Sequence, residues 1–189
     1  MKQTILQSIH NGEATSTEDG LLLPRQGILV TGEYFLRQNG GEWETVRNLV
    51  TTEGLAHFLN VAFGSTAKPA SYYLALFSGS VSPAANWTAA TFAAAAGEVV
   101  SMTEGYTAAT RPAWTPVNTS TGSIDNMSSV ASLTMATAGS LNVTGSAMLT
   151  NNVRGGTTGV LISASRYPVA RTFQAGDTFD IGYRISLTV

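Results

Sequence analysis

The chain contains no cysteine. A disulfide frame, a thiolate metal site and a cysteine nucleophile are therefore excluded, and the composition suits a reducing compartment. Charge is also scarce: Asp, Glu, Lys and Arg make up 12% of the residues, about half the share of an ordinary soluble domain. The eight arginines and two lysines form no run and the net charge is −2. Nucleic-acid binding, which needs a basic face, is not expected. No apolar run approaches the length of a membrane span, and the opening Met1–Leu6 is too polar to read as a signal peptide. Four Asn-x-Ser/Thr triplets, at Asn86, Asn118, Asn126 and Asn142, are what a Ser/Thr-rich chain produces by chance.

Motifs that carry chemistry are missing too. Histidine occurs twice, as His10 and His57, and no spacing brings either to a nucleophile or a metal partner. There is no His-Glu-x-x-His, no Gly-x-Ser-x-Gly and no Gly-x-x-x-x-Gly-Lys. The twelve carboxylates carry no mark of a glycosidase pair, and Asp125-Asn126 and Gly176-Asp177 read as turns. Arg154-Gly155-Gly156-Thr157-Thr158-Gly159 has the look of an anion-binding loop but reads better as a glycine-rich connection between strands. The expectation is a protein that is not an enzyme and holds no cofactor or metal.

What the chain does have is 43% hydrophobic residues and 19 glycines in 189 positions. That is enough apolar material for one packed domain and the opposite of a disordered composition. A surface so poor in charge is hard to keep wetted in a free monomer. Assembly with neighbours is the natural outlet.

Residues 1–24 read as an extended arm. Ile5, Leu6 and Ile9 suggest a short apolar turn, residues 11–20 are polar and turn-forming, and the triplet Leu21, Leu22, Leu23 follows. Packed on its own domain the triplet is bland; exposed, it is a liability that a neighbour would cover. Residues 25–189 read as a single β-sandwich or jelly-roll-like antiparallel domain. Gly27 to Asn48 should form a hairpin about Asn39-Gly40-Gly41. One short helix is expected over about 52–63, capped by Thr51 or Thr52, with Glu53 in its first turn. Its apolar face would be Leu55, Phe58, Leu59 and Ala62, and Gly64 its left-handed stop. Tyr72–Phe77 is a continuous apolar run, read as a strand buried on both faces. From about 78 to 116 the pattern weakens; the tract Ala93-Ala94-Ala95-Ala96 allows a short helical turn, but mostly ordered loop is expected, with its Trp87 and Trp114 available for contact. Further strands are marked by Val130, Leu133 and Met135; by Leu141 and Val143; by Ala147 and Leu149; and by Val160 to Ile162. The last, Phe179 to Val189, alternates with a period of two and should have one core face and one polar face.

Several of these segments together resemble a family of small structural proteins of tailed-bacteriophage particles. The resemblance runs through Arg47-Asn48-Leu49-Val50-Thr51-Thr52-Glu53-Gly54-Leu55, the helix after it and the Tyr72–Phe77 strand. It continues in Tyr106 to Trp114, Gly122 to Asn126, Gly155 to Leu161 and Gly176 to Val189, and so covers roughly residues 45 to 189. It implies a virion component assembled in the host bacterial cytoplasm, with no catalytic residues to carry over. The function expected is a capsid decoration or cement protein whose partners are the major capsid protein and copies of itself. A tail fibre, fibre-anchoring or tail adaptor role with tail proteins as partners is the alternative, and a glycan-binding domain the second. The candidate protein-interface residues are Leu21, Leu22, Leu23, Trp87 and Trp114.

Overall fold

The computed structural model describes residues 28–188 and, before them, the backbone of two short strands, β1 (Ala14–Ser16) and β2 (Leu22–Pro24). These two pair antiparallel as a sheet of their own. Ile5, Leu6, Ile9, His10 and Leu21 lie outside the described residues, as do the side chains of Leu22 and Leu23.

The body is mainly β, an antiparallel sandwich of two sheets. The hairpin is built by β3 (Leu29–Gln38) and β4 (Glu44–Arg47). Asn39 and Gly40 both take positive φ, 51° and 68°, and Gly41 N donates to Gln38 O at 2.9 Å. Such a turn matches strand twist and needs a residue tolerant of left-handed backbone at each central position. Next come β5 (Leu49–Val50), helix α1 (Thr52–Ala62) and β6 (Tyr72–Phe77). Helix α2 (Ala89–Ala96) and the short strands β7 (Gly105–Tyr106), β8 (Ala113–Trp114) and β9 (Ser123–Asp125) follow. The longer strands β10 (Ala131–Ala136), β11 (Leu141–Leu149), β12 (Leu161–Phe173) and β13 (Thr178–Thr188) complete the body. One sheet runs β4-β3-β13-β10-β7, with β9 also on β13; the other runs β5-β12-β11-β6-β8.

Alternation along the strands sorts side chains into two buried clusters. Tyr34, Leu36, Leu133, Met135, Phe179, Ile181 and Tyr183 of the first sheet face Leu74, Leu76, Val143, Met148 and Ile162 of the second. In β6 the other set, Ala75 and Phe77, points to the outer face, where Trp87, Phe92 and Ala96 cover it. The run Tyr72–Phe77 is thus interior on both faces from Leu74 onward, as its unbroken hydrophobicity predicts.

Helix α2 corrects the expected loop at 78–116. Thr88 N donates to Thr91 Oγ1 at 3.1 Å, opening the helix, and Gly97 closes it in the left-handed region at φ 65°. The alanines let the helix lie close to the sheet, and Phe92 alone inserts, edge-on to Phe77 with centroids 6.1 Å apart. The helix has little amphipathic contrast, which is why its pattern reads weakly.

Helix α1 also departs from expectation. It stops at Ala62, Phe63 is the cap with φ −126°, and Gly64 is not left-handed. The buried positions are Gly54 and His57, with Phe58 and Val61 half-buried, while Leu55 and Leu59 face outward. Gly54 fixes this rotation. A Cβ there would collide with the Ile162 carbonyl, so the helix sits with its narrowest point against β12.

In the C-terminal third, Leu141 to Leu149 is one irregular strand rather than two. β12 runs to Phe173 through Pro168, well beyond the expected Val160 to Ile162. The pairing passes from Gly145↔Arg166 to Val143↔Arg171, so residues 167–170 leave the ladder, with Tyr167 turned into the core and Pro168 and Val169 exposed. A proline needs no ladder partner there. On β13 the face read as polar is covered near its start. Asp180 is 8% exposed and paired to Arg37, and Gly182 lies under Met127 and Phe35.

Candidate functional site

A cleft of about 610 Å³ opens at one end of the sandwich. Its walls are Val30 of β3, Ile185 and Leu187 of β13, Phe58, Val61 and Ala62 of α1, and the segments 68–72 and 114–124. Six Ser, Thr and Asn side chains give hydroxyl and amide character to the lining; among the described residues Lys68 is its single charged side chain. No carboxylate of the described residues lines it.

The floor is aromatic. Trp114 meets Tyr72 edge-on at 6.0 Å and Tyr183 at 6.1 Å, and its Nε1 donates to the Tyr183 carbonyl at 2.9 Å. Tyr72 OH lies 3.0 Å from His57 Nε2. Burial raises the Tyr72 phenol above its ordinary pKa. Burial also lowers His57, an effect partly offset by the nearby Glu53 carboxylate. The folded state therefore holds His57 neutral below the pH at which the unfolded chain takes up a proton, about 6.5. Stability contributed this way is full above that pH and is lost as the pH falls towards the folded value. Unfolding midpoints should fall between about pH 7 and 5.5, and His57→Gln should flatten the slope. A wild-type profile as flat as the variant's would refute the assignment.

With an imidazole bonded to a phenol and no acid in the lining, the described residues of this cleft form no nucleophile–base–acid arrangement. Among the described residues no group of three His, Asp or Glu side chains is placed to hold a metal ion. What the cleft can do is bury apolar groups and satisfy a few hydrogen bonds at its rim.

The expected contact residues fall in different places. Trp87 is 8% exposed and packs in the outer cluster against the second sheet. Trp114 is 4% exposed and serves the cleft as floor. Neither ring stands out from the surface. Of Leu22 and Leu23 only the backbone in β2 is described.

The glycine-rich loop at Arg154 does engage an anion, but an internal one. Gly155 N donates to Glu98 Oε2 at 2.9 Å. The same carboxylate takes two 2.7 Å bonds from Arg111, with both side chains fully buried. Arg154 stacks 3.6 Å over the Tyr106 ring and donates to the carbonyls of Val99, Ser101, Tyr106 and Ala108. The two arginines staple the 98–114 excursion to the 151–156 turn.

No family model and no curated protein matches this chain.

Sequence reasoning missed the outward side of α1. Leu55, Leu59 and Phe63, at i, i+4 and i+8, form an exposed apolar stripe, with Phe63 86% exposed. The signal was present. Apolar residues at 55, 58, 59, 61, 62 and 63 span a wider arc than one buried face needs.

Proposed function

We propose that the protein is a structural component of a tailed-phage particle, a decoration or cement protein that binds across major capsid subunits. The observation that carries the reading is the outward stripe of α1 beside an apolar cleft, on a chain with little charge to keep it wetted. Large contiguous apolar surface on a folded body marks a contact site. The resemblance of residues 45 to 189 to phage structural proteins supports the setting. The mechanism is buried area repeated around each subunit, on the order of 1,200–2,000 Å² per contact.

The test is the copy number and position of this protein on intact particles. Copies in proportion to capsid subunits are expected; a few copies at one vertex would move the protein to the tail, and none would end the reading. Leu59→Ser with Phe63→Ser should weaken association, since losing one central apolar anchor costs about 2 kcal/mol, roughly thirtyfold in Kd. Unfolding free energy should change by less than about 1 kcal/mol, because both side chains already face solvent. Particle occupancy unaltered by this pair would remove the stripe from the interface.

A further inference from the structure

We propose that the cleft receives the segment Leu21–Leu23 from a second copy of this chain, so that neighbouring copies are joined by exchanged arms. This rests on the assembly reading above and names one partner for it.

The cleft selects the chemistry of its occupant. Its walls are mostly aliphatic and aromatic with neutral hydroxyl and amide groups among them, and its described residues offer no acid and one base, so an uncharged aliphatic segment fits better than a charged one. Its volume, 610 Å³, is of the size that encloses a small ligand or a few side chains, about 300–1,000 Å³. Three consecutive leucines supply such a segment.

The chain path brings the two features together. Val30 is a cleft wall, so the arm joins the body at the cleft's mouth. Leu23 lies seven positions before it, a reach of at most about 25 Å at roughly 3.3–3.6 Å per residue. Among the described residues β1 and β2 pair with each other and with no strand of the body, and a two-stranded sheet alone is marginal in water without a surface to pack on.

The rim decides between the copy's own arm and a neighbour's. Ile28, Leu29, Leu59, Phe63 and Val117, beside the cleft in chain or in register, are 68%, 60%, 61%, 86% and 61% exposed. An arm folded back on its own body fills the cleft and leaves that rim in water. A second copy arriving with its arm covers both. Each copy then gives one arm and receives one, which closes in a two-fold dimer or a ring.

The absence of cysteine makes the test clean. Full-length Leu22→Cys and Ala62→Cys chains, separately and mixed, are treated with a short bis-maleimide. A covalent dimer that requires both variants is expected. With both substitutions in one chain, the product should be linked chains rather than an internally bridged monomer. An internal bridge, or no dimer in the mixture, overturns the proposal. In parallel, Leu21→Ser/Leu22→Ser/Leu23→Ser should reduce the sedimenting species to one chain that still unfolds cooperatively, at a melting temperature lowered by the lost association; an unaltered mass also overturns it. These measurements need no particle. Dimers without particle binding would sink the function proposed above and leave arm exchange standing, and particle binding without dimers would do the reverse.

Discussion

Replacing Arg111 with methionine is expected to lower the free energy of unfolding by about 3–5 kcal/mol, the range found when one partner of a buried ion pair is removed. A domain has only about 5–15 kcal/mol in all. The cause is local. Arg111 and Glu98 are both fully buried and joined by two 2.7 Å bonds. Arg111 Nη1 also donates to the Asn151 carbonyl at 2.8 Å. Without the guanidinium, the Glu98 carboxylate keeps only the Gly155 amide and stays far from water. The double variant Arg111→Met/Glu98→Leu should recover part of the loss, because no bare charge remains, but not all of it: the Asn151 carbonyl and Gly155 amide would still lack their partners. Urea unfolding of the three proteins gives the coupling directly. A single variant that unfolds within 1 kcal/mol of wild type, a loss too small for an uncovered buried charge, would show that water reaches the pair.

The second large effect has a sign that propensity gets wrong. Gly54→Ala in the first turns of α1 should stabilise an isolated helix by about 1 kcal/mol. In the folded protein it is expected to destabilise by about 2–3 kcal/mol, as overpacking against unyielding atoms does. An added methyl would strike the Ile162 backbone, which is fixed in β12. The displacement would spread. Glu53 Oε2 accepts from Leu161 N at 2.7 Å and Ala89 N at 2.9 Å, so α1, β12 and α2 share one carboxylate. His57 and Phe58, which follow on the same helix, border the cleft floor and wall. Thermal melting decides the matter. A rise in melting temperature would mean that α1 does not rest on β12 as described.

Strands with a strong period or an unbroken apolar run were legible in the sequence: Tyr72–Phe77, the hairpin about Asn39-Gly40 and the core face of Phe179, Ile181 and Tyr183. Each is set by local chemistry that tertiary contacts reinforce. Three kinds of feature were not legible. Helix α2 is made largely of alanine, whose side chain packs without leaving a periodic trace. The continuation of β12 past Pro168 depends on a bulge opposite Val143–Gly145, and the sequence of β12 alone carries no sign of its partner. The Arg111–Glu98–Gly155 staple joins points 13 and 57 positions apart, and only the fold brings them together. The cleft belongs with these: its lining comes from five separate stretches of chain, and its apolar residues look in the sequence like ordinary core.

The central position of β13 in its sheet has a consequence for synthesis. It hydrogen-bonds β3 along ten residue pairs and also holds β10 and β9; Arg37 meets Asp180 across 143 positions. At about 5–20 residues per second, a ribosome takes on the order of ten seconds to pass from one to the other. Throughout that interval the β3–β4 hairpin has no central strand to lean on, and the end of the sandwich bearing the cleft is unmade. Nascent chains are therefore unable to bind anything through the cleft until translation has passed β13.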